Sequence, residues 1–117
     1  MVGNIRNIDD FIRNLIPWDK LNGAFPRGIR PTDIDGFTEV NNRFLFLEAK
    51  NSNSDLTDGQ RWAFERLSRV SPSITFIVFH WEPTTNTVGE FYEILAPRVV
   101  LGAGWKELYI YCENWAK

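Results

Sequence analysis

Charged residues of complementary kinds stand at the two ends of a short strand-like stretch. Asp33 and Asp35 lie in "TDIDG", and Glu48 and Lys50 lie in "LEAK". Carboxylates are preferred ligands of Mg²⁺, which keeps waters that a phosphate can displace. A lysine beside such an ion can orient a water or stabilise charge on a transferring phosphate. These residue types would support metal-assisted phosphate chemistry if the fold brought them together.

The sequence between these segments predicts how they meet. Residues 34–40 and 43–50 have strand-like patterns, and Asn41-Asn42 between them tolerates the positive φ angles of a two-residue type I′ turn. With that turn, the two residue numbers of each opposed pair sum to 83. The register therefore places Asp35 opposite Glu48.

The same alternation puts Asp35, Glu48 and Lys50 on one face of the hairpin. The second strand is apolar on both faces for most of its length, which is typical of a covered, central strand. Opposed carboxylates repel and lose hydration at such a place, and a divalent cation would compensate them. The alternative is an ordinary cross-strand salt bridge at a sheet end, for example between Asp33 and Lys50.

The remaining patterns supply the elements that would position these residues. The segment 57–70 begins with Thr-x-x-Gln, a capping-box pattern, and has Gln60 on its apolar stripe, which predicts a helix. The other predicted elements are a helix over 7–16, an irregular segment over 18–31, strands over 73–81 and 88–95, and a closing helix in the tail "GAGWKELYIYCENWAK". The pattern predicts a single domain over residues 1–117, of the α/β class, with a central mixed sheet flanked by helices.

Amino-acid composition and charge restrict the kinds of molecule that the protein can bind. A formal net charge of −2 provides no general basic field, so a polyanion would need a local patch or a metal ion. Arg27 and Arg30 precede the acidic segment and Arg61 follows it at a helix start, and we hypothesise that these three contact phosphates. The lone Cys112 and the absence of a leader or long apolar run indicate a soluble, intracellular, cytoplasmic protein.

Two other residues have competing interpretations. His80 lies in the middle of an apolar strand and is predicted to be a core residue. Because it is the only histidine of the sequence, a histidine-based zinc site is not expected. Trp62, near the start of the second helix, is the tryptophan most suited to stacking on a base, although packing is the first expectation for every tryptophan here.

The combination of Asp35 in "TDIDG" with Glu48 and Lys50 in "LEAK", on two arms of a hairpin, resembles the PD-(D/E)XK nuclease superfamily. The resemblance covers residues 7–82 and implies a restriction-endonuclease-like core with a β-meander, of αβββαβ type, here followed by a C-terminal helix. It also implies that Asp35, Glu48 and the Ala49 carbonyl bind Mg²⁺ or Mn²⁺. Lys50 would assist the attacking water, and Gln60, with an aromatic residue four positions later, is similar to an element of small phage and recombination nucleases, including Holliday-junction resolvases.

Some features depart from that pattern. Pro31 and Asp33 are separated by one residue, so Asp33 competes with Asp35 for the metal role, and the register favours Asp35. The resemblance implies a Mg²⁺-dependent deoxyribonuclease, structure-selective in phage DNA recombination, repair or processing, which acts on branched or single-stranded DNA as a homodimer. The alternatives are a catalytically inactive nucleic-acid- or protein-binding module on the same fold, and an inhibitor or interaction protein of phage-like size.

Overall fold

The computed structural model describes residues 16–51 and 54–117. The chain divides into two compact units, Met1–Thr32 and Asp33–Lys117. In the first unit, the described residues form two short 3₁₀ helices, Trp18–Leu21 and Pro26–Gly28, in agreement with the predicted irregular segment. The helix predicted over residues 7–16 falls almost wholly outside the described residues, and the single domain over 1–117 stays a prediction.

The second unit contains a five-stranded mixed sheet and two helices. Its elements are β1 (Gly36–Val40), β2 (Arg43–Asn51), α1 (Asp58–Arg69), β3 (Ile74–Glu82), β4 (Thr87–Glu93), β5 (Val100–Ala103) and α2 (Gly104–Ala116). The strand order is β1-β2-β3-β4-β5, in which β2 and β3 are parallel and the other neighbours antiparallel. The predicted α/β class with a mixed sheet is confirmed.

Two details of the fold differ from the predictions. Residues 16–35 contain the two 3₁₀ helices and no strand, so two strands rather than three precede α1 within the described residues. The meander of the sheet is instead formed by β3, β4 and β5. Strand β5 was not predicted, because four residues with a central glycine carry little periodic signal. Among the described residues, no helix combines the length and apolar character needed to span a bilayer.

The β1–β2 hairpin has the predicted turn and register. Asn41 and Asn42 have φ angles of 54° and 66°, which is the left-handed conformation that both central residues of a type I′ turn require. Val40 pairs with Arg43, and the ladder continues in step to Gly36 opposite Leu47. The register in which residue numbers sum to 83 is therefore confirmed.

The sheet buries apolar side chains on both faces. The α1-side core contains Phe64, Phe76, Val78 and Ile94, and the α2-side core contains Leu45, Ile77, Val88, Phe91 and Leu108. Strand β2 contributes Leu45 to the α2-side core, and its neighbour Phe46 packs against the α1-side core. This confirms that β2 is a covered, central strand.

A stack of four phenylalanine rings runs through the α1 side of the sheet. Successive ring centroids lie 5.4 Å apart from Phe37 to Phe46, 5.7 Å from Phe46 to Phe76, and 4.3 Å from Phe76 to Phe64. Because these rings belong to β1, β2, β3 and α1, the stack joins β2 and α1, which carry predicted site residues, to β1 and β3.

Candidate active site

Asp35 and Glu48 meet where the hairpin ladder ends. Each carboxylate accepts a hydrogen bond from the backbone of the other segment: Asp35 N–H donates to Glu48 Oε1 at 3.3 Å, and Ala49 N–H donates to Asp35 Oδ2 at 2.8 Å. Strand β1 begins only at Gly36, so the Asp35 side chain takes the place that a further rung of the ladder would occupy. The two acids are thus held together by the backbone on both sides.

The backbone of Ala49 belongs to the same arrangement. In an extended strand, the N–H and C=O of one residue point to the same side. Since Ala49 N–H points to Asp35, the Ala49 carbonyl also faces the β1 edge of β2. The predicted third ligand therefore faces the strand edge on which Asp35 lies.

Lys50 is anchored by a residue from α1. Lys50 Nζ lies 3.0 Å from Gln60 Oε1 and 3.8 Å from Glu48 Oε2. The same Gln60 oxygen accepts the Thr57 N–H at 3.1 Å, and Gln60 N–H donates to Thr57 Oγ1 at 3.1 Å, which completes the capping box at the start of α1. Gln60 therefore both caps the helix and fixes the lysine.

The alternative salt bridge between Asp33 and Lys50 is not formed. Asp33 is exposed, and among the described residues the ion pair of Lys50 is with Glu48. Of the two candidate aspartates, Asp35 is the one that the structure joins to Glu48, Ala49 and, through Glu48, to Lys50.

The buried position of Glu48 makes its charge costly. The residue is only 5% exposed. Burial raises the pKa of Glu48 above its ordinary value of 4.5, and the nearby Asp35 charge raises it further, while the hydrogen bond from the Asp35 backbone and the Lys50 charge act in the opposite direction. The site thus holds a carboxylate whose ionised form would gain from a nearby cation, which fits a divalent metal.

This raised pKa predicts how stability depends on pH. The folded state holds the Glu48 proton more tightly than the unfolded state, so the contribution of this group is present at low pH and is lost as pH rises above 4.5. We expect Glu48→Gln, which has no proton to lose, to gain stability relative to the wild type between about pH 4 and pH 7 in EDTA. Urea unfolding at both pH values measures the difference.

The exposed residue Glu90 on β4 offers a matched control substitution, Glu90→Gln. A gap between wild type and Glu48→Gln that stays constant or shrinks towards neutral pH would contradict the prediction.

The arginines predicted to contact phosphates are exposed, and one of them is already paired. Arg61 Nη2 lies 2.7 Å from Asp58 Oδ1 on α1, beside Gln60 in sequence. Arg27 and Arg30 are exposed residues of the first unit. Trp62 is 52% exposed on α1, as stacking on a base would require. Contact of these residues with phosphates or bases stays a prediction.

The strand that adjoins β2 brings one more chemically capable residue to this region. His80 on β3 pairs with Lys50 on β2 in the parallel register. The apolar pattern of its strand predicts a core position for His80. The signal that could have located it is the parallel pairing of β2 with the predicted strand 73–81, which periodicity alone does not specify.

Comparisons with protein-family models, with curated proteins and with solved structures found no match. Within residues 16–51 and 54–117, no group of three or more His, Cys, Asp or Glu side chains is placed to hold a metal ion. The predicted ligand set is of a different kind, with two carboxylates and the Ala49 carbonyl. Membership of the PD-(D/E)XK superfamily and the nuclease activity therefore stay predictions.

Proposed function

We propose that the protein is a Mg²⁺-dependent deoxyribonuclease of the PD-(D/E)XK type, which hydrolyses phosphodiester bonds in DNA. The observation that carries the proposal is the pairing of Asp35 with Glu48 across the hairpin, with Lys50 anchored beside them by Gln60. A solvated surface cluster would not need a lysine fixed by a helix cap. A site that handles a phosphate beside a cation does need a fixed positive charge.

The acidic pair and the Ala49 carbonyl are the groups that would hold Mg²⁺ or Mn²⁺. All are oxygen ligands of the kind that hard cations prefer, and the backbone hydrogen bonds of Asp35 and Glu48 fix their orientation before any ion arrives. A bound divalent ion would supply charge neutralisation at the scissile phosphate and lower the pKa of a water.

Lys50 lies beside Glu48 of the acidic pair and is held there by Gln60. The Lys50 ammonium, with one bond directed to Gln60 Oε1, keeps further N–H donors for the attacking water or a non-bridging phosphate oxygen. Gln60 is a positioning residue, because its oxygen is shared between the lysine and the Thr57 backbone. In-line hydrolysis would then use a water held at Lys50.

The fold supports the proposal at the level of architecture. A mixed sheet whose hairpin carries the acids, followed by a helix that carries Gln60 and a parallel strand, is compatible with a restriction-endonuclease-like core. The proposal extends to structure-selective cutting of DNA in phage recombination, repair or processing. The protein would act in the cytoplasm, and as a homodimer if two strands are cut.

The test is cleavage of supercoiled plasmid and of a synthetic four-way junction by the wild type and by Glu48→Ala, with Mg²⁺, Mn²⁺ or EDTA. The proposal requires metal-dependent cutting by the wild type and none by the variant. If neither protein cuts DNA or RNA and calorimetry detects no metal binding, the protein is a binding module on this fold and the nuclease proposal fails.

A further inference from the structure

His80 lies beside Lys50 at the same end of the sheet. The two residues are directly paired between the parallel strands β2 and β3. Adjacent strands lie about 4.8 Å apart, so paired side chains on one face are neighbours. His80 is half-buried, and it therefore has a surface that a ligand can reach.

The two side chains also share a face. Phe79 and Trp81 both pack against the α2-side core. Since side chains alternate along a strand, His80 between them points to the α1 side, as do Glu48 and Lys50 on β2. The register of β3 with β4 shifts between Phe79 and Trp81, a type of irregularity that commonly redirects side chains near active sites.

A glycine on β4 packs closely against this histidine. A Cβ atom built at Gly89 would lie 3.2 Å from His80 Cβ, which is closer than side chains normally approach. Gly89 has no positive φ angle that would call for glycine. Glycine at this position therefore lets the β4 backbone pass close to His80, and any added side chain would press on the histidine.

The polar groups are therefore arranged in order across the sheet. Asp35, just before β1, and Glu48 on β2 supply negative oxygens, and Lys50 on β2 and His80 on β3 supply N–H donors. A DNA strand whose scissile phosphate lies between the acidic pair and Lys50 would extend over β3. We propose that His80 is a DNA-binding residue that donates a hydrogen bond to a backbone phosphate beside Lys50, an assignment that rests on the proposed nuclease function.

This role predicts a particular kinetic effect. A hydrogen bond to a charged group that is present in both the substrate complex and the transition state changes KM rather than kcat. For His80→Leu, which removes the donor, we expect KM to rise about tenfold with kcat within about twofold. His80→Gln, which keeps an N–H donor, should recover most of the loss. The readouts are steady-state cleavage of the preferred DNA substrate, Mg²⁺ affinity by calorimetry and the urea midpoint.

A second variant tests the assignment even if His80→Leu does not fold. Gly89→Ala adds a methyl group against His80 Cβ and should also raise KM, because the histidine must shift. Wild-type KM in either folded variant would overturn the assignment, and so would a combined loss of kcat and Mg²⁺ affinity, which would make His80 a metal-site residue. A wild type that cuts no nucleic acid would instead refute the nuclease function itself.

Discussion

Replacing Lys50 with methionine is expected to slow DNA cleavage by about 10²–10³-fold, the usual cost of removing one preorganised group that stabilises transition-state charge. Methionine has similar length and keeps the packing of the stem, but it cannot donate to a water, a phosphate or Gln60 Oε1. Metal affinity should persist, since Asp35, Glu48 and the Ala49 carbonyl remain. Single-turnover cleavage and calorimetry with Mg²⁺ measure the two effects separately.

Two other variants serve as controls for the Lys50→Met result. Lys106→Met removes an exposed lysine from the first turn of α2 and should cut at the wild-type rate. Glu48→Ala should lose both cleavage and metal affinity. Equal rates for Lys50→Met and wild type would mean that the anchored lysine has only a structural role, and a parallel loss of metal affinity in Lys50→Met would mean that the site had collapsed.

Removing the most buried inner ring of the phenylalanine stack should have the largest effect on stability. Phe76 is fully buried and lies between Phe46 and Phe64 in the stack. We expect Phe76→Ala to lower the free energy of unfolding by about 3–5 kcal/mol, through lost burial and the cavity that remains. Domains of ordinary size have a total stability of about 5–15 kcal/mol, so this variant would be close to unfolding. Urea denaturation at neutral pH provides the measurement.

The same stack contains its own control. Phe37 contacts Phe46 at the outer end of the stack and is 63% exposed, so Phe37→Ala should cost less than about 1 kcal/mol. Similar losses for the two variants would contradict the view that burial on the α1 side, rather than ring stacking in itself, supports the site.

The parts of the site that were predictable from the sequence are those set by local rules. The Asn41-Asn42 turn fixes the hairpin register, and the register alone places Asp35 opposite Glu48. The Thr57 capping box fixes the start of α1 within one residue and so places Gln60 in its first turn. In each case the decisive interaction joins residues that are close in sequence.

Interactions between distant segments were not predictable in the same way. The parallel register of β2 with β3 depends on how α1 packs across the sheet. This register places His80 beside Lys50, whereas the sequence pattern predicts a core position. Strand β5 exists because Glu90 and Phe91 on β4 offer it a partner, while its own sequence signal is weak. The bond from Ala49 N–H to Asp35 likewise requires the ladder to end at Gly36, which strand propensity does not specify.

The Asp35–Gln60 segment, with its hairpin and capped helix start, also has a consequence for folding. The bonds that join its site residues span only 10 to 14 positions, and such local contacts close quickly. Glu48, however, is buried only when β3 adds beside β2. The acidic pair can therefore assemble while Glu48 is still hydrated, and Glu48 loses its water in a later, slower step, so a divalent cation in the refolding buffer should speed that step more than it speeds hairpin formation.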